Sequence, residues 1–475
     1  MALKVYNTLG RRMEEFAPLR PGEVRMYVCG PTVYDYIHVG NARAFVIADV
    51  IRRYLEYRGF KVRFISNITD IDDKMINRAR EMGISIQELG ELYSDAYFED
   101  IKRLNIKRPD VSPRATQHIP EIIGAIEALI EKGYAYVADG DVYFDVSKFE
   151  DYGKLSGNKA EALRMGARIE VNPKKRNPAD FALWKGWKPG EPGWHSPWGR
   201  GRPGWHIECS TMAQKYLGET LDIHMGGKDL IFPHHENEIA QAEAATGKTF
   251  VRYWLHNEWL TVEGKKMSKS LGNFITVREA FKMCSPQVLR LFLVSAHYRS
   301  PLDFNKEALA ASERRLRRIL RALRRLISLA ERDSLTPDDE RLISEVEEGR
   351  RRFEEAMDDD FNTPLAITAL LGVVKAINNF ADANESIERT TKRRVSEMLI
   401  ALLDVLGIEW TEGRVKTDRE ILEGLISILI DVRNEMRRRK EWKAADDIRE
   451  RLAKLGVTLE DTPTGTRWTI EDVGR

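Results

Sequence analysis

The pattern of apolar and polar residues near the N-terminus predicts a strand, a helix and a second strand in close succession. Residues 24–29 (VRMYVC) form a short apolar run that predicts a buried strand, and a Gly-Pro break follows it. Apolar residues recur at helical spacing over residues 41–57, and residues 61–68 predict the second strand. This succession is typical of a parallel βαβ unit, so we predict that residues 1–113 begin a doubly wound α/β domain.

Residues 114–204 break this alternation, and we interpret them as an insertion. An amphipathic helix over residues 119–132 precedes two short strands, at residues 134–137 and 142–144. The second half of the insertion is rich in Pro, Gly and Trp, and half of the chain's 10 tryptophans lie between residues 184 and 205. This cluster indicates either an aromatic surface beside a site or a purely structural cluster, and the sequence favours neither.

The chain turns helical beyond about residue 308. Apolar residues at near-heptad spacing predict a long helix, and they are Leu316, Leu320, Leu323, Ile327 and Ala330. Arginines crowd the other faces of that helix, and they are Arg314, Arg315, Arg317, Arg318, Arg321, Arg324 and Arg325. A charged segment, residues 411–419, then leads to a small C-terminal module.

A second basic cluster lies in the C-terminal module, on or beside a predicted helix. Its members are Arg433, Arg437, Arg438, Arg439, Lys440 and Lys443. Such side chains suit a phosphate backbone, and the rings of Trp442 and Trp468 are available to stack on unpaired bases. Alternatively, both tryptophans anchor a small helical cap. The formal net charge is only +1, so a nucleic-acid surface has to arise from local clusters of this kind.

Length and composition limit the remaining possibilities. A chain of 475 residues, 43% hydrophobic and 31% charged, is expected to form about three or four folded domains. Three cysteines are too few for a disulfide scaffold, and Cys284 has no partner pattern, so we expect it to be structural. Residues 1–16 lack the apolar core of a secretory signal, and no apolar run approaches membrane-spanning length. We therefore expect a cytoplasmic protein without a membrane partner.

Cysteine, histidine and glutamate residues occur at positions that suit one metal site. Cys29 ends the first predicted strand, where open α/β sheets bind their ligands, and Cys209 follows far along the chain. His234 and Glu238 are four residues apart and share one face of a helix. Two thiolates, an imidazole and a carboxylate complete a tetrahedral zinc shell. The alternatives are that Cys29 is a small buried hydrophobe and that His235 supports the site without binding the metal.

Two short motifs suit a nucleoside triphosphate. The HVGN motif opens the first helix, where backbone amides favour phosphate oxygens, Gly40 permits close approach, and His38 and Asn41 add donors. In KMSKS, Lys266 and Lys269 place two positive charges where pyrophosphate would leave. Taken alone, the first motif is a weak signal, and the second could be a solvated lysine loop.

Together, HVGN and KMSKS resemble the two signatures of class I aminoacyl-tRNA synthetases, although Asn41 replaces the final His of the usual HIGH. Asn still donates a hydrogen bond at that place. Longer segments resemble the cysteinyl-tRNA synthetase family over nearly the whole chain, and they are CGPTVYDYIHVGNAR, NITDIDDK, WHIECS, HHENE, MDDDFNTP and EDTPTGTRW.

The resemblance implies roles for individual residues. The expected ligands of one Zn²⁺ per subunit are Cys29, Cys209, His234 and Glu238, in agreement with the residue types. The residues expected to bind ATP with its Mg²⁺ are His38, Gly40, Asn41, Lys266 and Lys269, all but Gly40 being catalytic. The expected amino-acid pocket contains Thr69 and Trp205. The expected tRNA contacts are Arg437, Arg438 and Trp468.

The resemblance also implies an α/β fold, with a class I Rossmann-like catalytic domain split by an insertion, then an α-helical bundle and a small C-terminal module. The expected divisions are 1–113 and 205–250 for the catalytic halves, 114–204 for the insertion (connective peptide), 251–308 for the KMSKS and stem-contact region, 309–410 for the bundle and 411–475 for the anticodon-binding module.

The implied reaction joins L-cysteine to tRNA(Cys) with ATP, through cysteinyl-adenylate, and we expect a monomer. Two other functions remain open. A cysteine ligase with a small amine acceptor shares the catalytic core but has no need of an anticodon-reading module. A zinc-bound RNA-binding relic of a synthetase could dispense with HVGN and KMSKS, which this chain retains.

Overall fold

The structure is a computed structural model that describes residues 2–158, 173–267, 272–410, 418–462 and 465–470. The chain forms two compact units, Met1–Glu409 and Trp410–Arg475.

The larger unit begins with a hairpin, the predicted strand–helix–strand and three further helices. Its first elements are β1 (Lys4–Asn7), β2 (Arg12–Glu15), β3 (Glu23–Val28), α1 (Val39–Tyr57), β4 (Lys61–Ser66), α2 (Asp73–Met82), α3 (Ile86–Arg103) and α4 (Ile119–Glu131). Helix α1 begins at Val39, earlier than predicted, because His38 caps its N-terminus and pairs with Asn41 in a reciprocal capping box.

The middle of this unit contains an antiparallel sheet and the remaining strands of the parallel sheet. These elements are β5 (Ala135–Ala138), β6 (Asp141–Phe144), β7 (Phe181–Gly186), β8 (Gly201–Pro203), α5 (Trp205–Leu217), β9 (Leu221–Gly227), α6 (Glu236–Thr246) and β10 (Val251–Asn257). Strands β5 to β8 pair in chain order. Trp184 is fully buried in the core beneath them, whereas Trp187 and Trp205 are partly exposed, so the tryptophan cluster contributes to both core and surface.

Four parallel strands in the order β10–β9–β3–β4 form the central sheet. Because helices pack on it, the interiors of β3 and β9 are buried, which explains their apolar sequences. The chain passes from β3 to β4 on one side and later adds β9 on the other side of β3. The gap between β3 and β9 is therefore the topological switch point, where open α/β sheets bind ligands at the carboxyl ends of the strands.

Beyond β10 the unit forms a small sheet and then a helical bundle. These elements are β11 (Leu260–Val262), β12 (Lys265–Lys266), α7 (Val277–Met283), α8 (Pro286–Leu293), β13 (Leu302–Phe304), α9 (Lys306–Ser328), β14 (Ala330–Arg332), α10 (Pro337–Asp358), α11 (Thr363–Ala383), β15 (Ser386–Glu388) and α12 (Arg389–Val405). Within the described ranges α11 alone has the length and apolar composition of a membrane span, but half of that stretch is buried and α11 packs against α9, α10 and α12 as a core helix.

A buried arginine links the central domain to the segments that follow the parallel sheet. Arg43, in the first turns of α1, is fully buried and donates hydrogen bonds to four backbone carbonyls. Their donor–acceptor distances are 2.9 Å to Glu258, 2.8 Å to Trp259, 3.1 Å to His297 and 2.6 Å to Ser300. Arg43 therefore holds the start of α1 against the two segments that lead into β11 and β13.

The smaller unit is a helical hairpin followed by a β-hairpin. Its described elements are α13 (Asp418–Arg438), α14 (Trp442–Lys454), β16 (Val457–Thr462) and β17 (Gly465–Ile470). Apolar residues of all but the last element form its core, and they are Ile426, Ile430, Leu452, Val457 and Leu459. Most of the predicted charged linker, residues 411–417, lies outside the described residues.

Candidate functional site

The four candidate metal ligands meet at the topological switch point. Cys29 directly follows β3, Cys209 lies in α5, and His234 and Glu238 lie on either side of the first residue of α6. Their ligand atoms all lie within 4.8 Å of one another. Cys29 Sγ is 3.9 Å from Cys209 Sγ and 3.6 Å from Glu238 Oε1. The same Glu238 oxygen is 3.0 Å from His234 Nε2.

These separations fit the edges of a coordination tetrahedron. Sulfur ligands lie about 2.3 Å and nitrogen or oxygen ligands about 2.0 Å from zinc, which places neighbouring ligand atoms roughly 3.3 to 3.8 Å apart. Cys209, His234 and Glu238 are buried, and Cys29 is half-buried. Burying this many polar donors together is costly unless a cation joins them, so the donor set fits a zinc ion.

Charge is unevenly distributed within this group. A hydrogen bond from Cys29 outweighs burial and lowers the pKa of Cys209 to about 6. Burial and the hydrogen bond to Cys209 raise the pKa of Cys29, which therefore keeps its proton. Burial opposes the charged form of His234, but the charge of Glu238 prevails and raises its pKa to about 10. Burial is likewise outweighed at Glu238, whose pKa the neighbouring His224 and His234 lower to about 2.

A second set of donors overlaps the first. Its members, also within 4.8 Å of one another, are Cys29, His224, His235 and Glu238. His235 Nε2 is 3.3 Å from Cys29 Sγ, and its Nδ1 is 2.7 Å from Nε2 of His256. His224 Nε2 is 2.9 Å from Glu238 Oε2. A supporting role for His235 stays a prediction, and the structure places its ring close enough to compete as a donor.

Trp205 adjoins the ligand group, and Thr69 contacts two residues that lie next to it. The Trp205 ring stacks on the imidazole of His234, with centroids 4.2 Å apart, and it is partly exposed. Thr69 is buried, and its hydroxyl donates to Glu208 at 3.0 Å and accepts from the Asn67 amide at 3.2 Å. Of the two residues predicted to line the amino-acid pocket, Trp205 thus contacts a proposed ligand directly, and Thr69 is linked to Cys209 through Asn67, whose Oδ1 lies 3.7 Å from the sulfur.

Residues of the HVGN motif lie at the N-terminus of α1, as expected, but two of them cap the helix. The His38 ring accepts a hydrogen bond from the Asn41 backbone amide through Nδ1, at 3.1 Å, and Asn41 Oδ1 accepts from the His38 amide at 3.3 Å. The side-chain atoms able to donate to a phosphate are then His38 Nε2 and Asn41 Nδ2. The sequence predicts donors at this position but not the capping role of His38 and Asn41.

Met267 of KMSKS, and residues 275–277 beyond the motif, approach the start of α1. Backbone hydrogen bonds join residues 37–39 to residues 275–277, from Val39 N to Ile275 O at 3.0 Å and from Val277 N to Ile37 O at 2.9 Å. Gly40 permits this close approach, since a Cβ at that position would lie tightly at 3.0 Å from the His38 ring and 3.3 Å from Met267 Cε. Met267 of KMSKS and the HVGN motif, far apart in sequence, are therefore adjacent in space.

Of the two lysines of KMSKS, the structure describes only Lys266. Lys266 ends β12, where its Nζ lies 5.1 Å from the centroid of the Trp259 ring and its carbonyl accepts a hydrogen bond from Asn273 at 3.1 Å. Lys269 lies outside the described residues.

Arginines of α13 in the smaller unit have unequal access to solvent. Arg433 is buried and makes a bidentate ion pair with Asp461, at 2.9 and 2.7 Å, so it holds α13 to β16. The prediction that Arg433 belongs to the phosphate-binding cluster is wrong, because its guanidinium is buried in this ion pair. Arg437 also reaches Asp461, at 2.7 Å, and Arg438 reaches Glu435 at 2.8 Å, but both are exposed.

Trp468 and Trp442 have different surroundings in the smaller unit. Trp468 lies in β17 opposite Leu459 and packs, partly buried, against the apolar core. Trp442 is 56% exposed at the start of α14. The exposed ring of Trp442 is the more accessible surface, and Trp468 contributes to packing.

Sequence analysis did not single out several residues that surround the ligand group. Asn67 accepts a hydrogen bond from the Gly30 amide at 2.9 Å, and a Cβ on Gly30 would lie 1.6 Å from the Asn67 backbone oxygen. Further neighbours include His206, His224, Glu208 and His256. A histidine inside a fully buried part of a strand, as His224 is in β9, was the available signal.

Three family models match successive parts of the chain. The model described as the catalytic domain of tRNA synthetases class I (C) matches residues 15–314. A DALR domain matches residues 352–410, and a cysteinyl-tRNA ligase anticodon binding domain matches residues 427–468.

Curated relatives match over the whole length. A cysteine–tRNA ligase of Moorella thermoacetica is 52% identical over 98% of this chain and 99% of its own, and one of Thermococcus onnurineus is 51% identical over the same shares. Among solved structures, Mycobacterium tuberculosis methionyl-tRNA synthetase with methionyl-adenylate has a TM-score of 0.59 and 17% identity, covering 81% of this chain and 89% of that one. That likeness shows the shared fold. By its catalytic model and its relatives, the chain belongs to the cysteine–tRNA ligase family of class I tRNA synthetases.

Proposed function

We propose that this chain activates L-cysteine with ATP and transfers it to tRNA(Cys). The first step forms cysteinyl-adenylate and releases pyrophosphate, and the second esterifies the 3′-terminal adenosine and releases AMP. The observation that supports this best is that four metal-binding side chains lie together at the topological switch point between β3 and β9. They are Cys29, Cys209, His234 and Glu238. A thiol-selective group there adjoins a helix N-terminus suited to phosphates.

The same four residues would hold one Zn²⁺ per subunit. Bound there, zinc supplies a soft Lewis acid that favours a thiolate over the alcohol of serine. Trp205 orients His234 by stacking, and Thr69 orients Glu208 and Asn67 through its hydroxyl. Serine would therefore be rejected at the activation step, with no need of a hydrolytic editing domain.

Adenylate formation requires the cysteine carboxylate to attack the α-phosphate while charge builds on the departing pyrophosphate. The amides at the start of α1, with His38, Gly40 and Asn41, would bind the phosphates. Lys266 and Lys269 would offset the developing charge together with Mg²⁺. Met267 packs at Gly40, which supports the lysine segment closing over the same phosphates.

The C-terminal residues 411–475 would read the anticodon, with Arg437 and Arg438 on phosphates and Trp468 supporting the base-contacting surface. Exposure of both arginines, and the anticodon-binding model that matches residues 427–468, support this assignment. Residues 114–204 would act as the connective insertion between the two catalytic halves, residues 1–113 and 205–250. Residues 251–308 would form the stem-contact region, and residues 309–410 would form the helical bundle. We further propose a cytoplasmic monomer.

Two linked assays test the function. Cysteine-dependent exchange of labelled pyrophosphate into ATP measures adenylate formation, and the adenylate is then offered tRNA(Cys) or a small amine such as an aminoglycosyl inositol. Exchange followed by charging of tRNA alone is expected. Transfer to the amine alone would contradict tRNA ligation, and RNA binding without exchange would mean that the chain is not a ligase.

A further inference from the structure

Asp360 is a buried carboxylate in the turn between α10 and α11, and the proposed chemistry does not use it. Its Oδ1 accepts hydrogen bonds from the Tyr6 backbone amide at 2.8 Å and from the Tyr298 hydroxyl at 2.7 Å. Its Oδ2 accepts a hydrogen bond from Arg299 Nε at 2.6 Å, and its backbone carbonyl is 3.1 Å from His297 Nε2. Asp360 therefore fixes three successive side chains, those of residues 297–299.

The backbone of this turn is unusual. Asp360 and Phe361 have φ angles of 58° and 52°, so two successive residues other than glycine adopt the left-handed conformation. That conformation costs free energy at each residue and persists only where surrounding contacts fix it. The Asp360 amide donates to the Lys4 carbonyl at 2.9 Å. The buried Phe361 ring packs edge-on against Tyr54 of α1, with centroids 6.2 Å apart. The turn thus holds the carboxylate in one orientation despite the cost to its backbone.

Residues 297–300 connect this turn to the start of α1. On one side, the side chains of the first three residues contact Asp360. On the other side, the carbonyls of His297 and Ser300 accept hydrogen bonds from Arg43, at 3.1 and 2.6 Å. The Ser300 amide donates to the His297 carbonyl at 2.9 Å and closes the segment into a turn. The segment therefore transmits the position of the Asp360 carboxylate to the Arg43 guanidinium.

The same turn region also holds the other end of α1. The Tyr54 hydroxyl donates to the carboxylate of Asp358, the last residue of α10, at 2.7 Å. Arg43 and Tyr54 lie about 17 Å apart along the helix axis. Helix α1 is thus held directly at Tyr54 and indirectly, through residues 297–300, at Arg43. Its axial position and tilt depend on both connections.

We propose that Asp360 is a positioning residue for ATP, an inference that rests on the proposed function. Through residues 297–300 and Arg43 it fixes the N-terminus of α1, whose amides, with His38 and Asn41, would bind the triphosphate. Hydrogen-bond donors favour a transition state only when they point at the position where charge develops, and an error of about 1 Å is costly. Asp360 acts on ATP through the alignment of that helix end.

The test measures cysteine-dependent pyrophosphate exchange by full-length variants, with one substrate saturating and the other varied. Asp360→Ala removes the carboxylate, and Asp360→Asn keeps its shape but presents an amide to Arg299. Asp359→Ala is the matched control, since that neighbouring carboxylate is exposed. Asp360→Ala is expected to raise the KM for ATP roughly 2- to 30-fold and to leave the KM for cysteine unchanged. Asp360→Asn should have a smaller effect, and Asp359→Ala should change neither KM.

A purely structural role of Asp360 predicts a different pattern. Loss of folded protein lowers the measured kcat, whereas the KM values of the molecules that remain folded stay as in wild type. The free energy of unfolding in urea is therefore measured for each variant, and rates are expressed per folded molecule.

A double-variant cycle with Arg43→Lys tests the route from Asp360 to α1. If both residues act through residues 297–300, each substitution loosens the same helix end. The KM for ATP of the double variant is then close to that of the more affected single variant. Independent routes would multiply the two increases. Asp359→Ala combined with Arg43→Lys is expected to behave as Arg43→Lys alone.

An unchanged KM for ATP in Asp360→Ala, or fully multiplicative increases in the cycle, would overturn the proposal. If Asp360→Ala does not fold, Asp360→Asn decides, with an expected rise of at least about twofold in the KM for ATP. Absence of cysteine-dependent exchange in wild type would instead contradict the proposed function, which separates the two failures.

Discussion

The indole of Trp205 stacks on the imidazole of His234, with ring centroids 4.2 Å apart and ring planes 26° apart. On its other side His234 meets the buried carboxylate of Glu238, 3.0 Å from Nε2. A partly exposed ring thus fixes the orientation of a buried proposed metal ligand.

Removal of this stack is expected to weaken cysteine binding. Aromatic pairs contribute about 0.5–1.5 kcal/mol, so Trp205→Ala should raise the KM for cysteine in pyrophosphate exchange roughly 2- to 12-fold. Trp205→Phe should recover most of the loss. Trp187→Ala is the control, because that exposed ring lies against Arg200 instead. A fall in kcat with unchanged KM would contradict a binding role.

Replacement of one proposed ligand should remove metal and thiol selectivity together. Cys209→Ser is expected to release zinc to a chromophoric chelator and to lower cysteine-dependent exchange at least about a hundredfold, since loss of even outer partners of a metal costs 10- to 100-fold. Cys284→Ser, at a half-buried cysteine outside the cluster, should retain both properties. Normal cysteine activation by metal-free wild type would rule out this mechanism.

The pKa shifts predict how many protons zinc displaces at pH 7.5. Glu238, with a pKa of about 2, and Cys209, with one of about 6, are already ionised. Cys29 keeps its proton because its pKa is raised, and His234, with a pKa of about 10, is an imidazolium. Metal ligands bind deprotonated, so about two protons leave per zinc ion, and affinity rises with pH for as long as His234 and Cys29 carry their protons.

Calorimetry in buffers of different ionisation enthalpy measures that number. His234→Asn is expected to lower proton release from about two to about one, because only the Cys29 proton remains to be displaced. Release of fewer than one proton by wild type would show that the thiol and imidazole are not both ligands.

Arg43→Lys is expected to destabilise the protein and weaken ATP use. A lysine keeps the charge but cannot reach all four carbonyls that Arg43 joins, and each buried carbonyl left unpaired costs about 1–3 kcal/mol. The free energy of unfolding in urea should fall by about 2–4 kcal/mol. The KM for ATP should rise, since the start of α1 is no longer held to β11. Arg63→Lys, on exposed β4 surface, is the control and should change neither quantity.

Deletion of residues 411–475 is expected to spare cysteine adenylation and sharply reduce tRNA charging, since the larger unit contains the whole candidate site. Within the full chain, Trp468→Ala should reproduce part of the loss, and its stability needs to be measured because the ring packs in the core. Trp442→Ala tests the exposed ring, where loss of one base stack costs roughly 5- to 150-fold. Full charging by the truncated chain would favour a small acceptor.

Local sequence determined much of the fold. The strand at residues 24–29, the helix near 41–57 and the amphipathic helix at 119–132 were predictable, because each depends on apolar spacing within a few residues. Residue chemistry also indicated Cys29, Cys209, His234 and Glu238 as one donor set, since few other combinations suit zinc.

Tertiary structure alone decided which metal-binding side chains lie together and which basic side chains are exposed to solvent. Cys29 and Cys209 are 180 residues apart, and only the order of the parallel strands brings their sulfurs to 3.9 Å. His234 and His235 belong to two overlapping donor sets, and which ring reaches the cysteines depends on ring orientation, which no spacing rule fixes. Arg433 and Arg318 both lie on basic helices and look alike in sequence. Arg433 is buried in an ion pair with a carboxylate of another element, Asp461 in β16, whereas Arg318 is exposed. Such contacts depend on long-range packing, so local patterns cannot specify them.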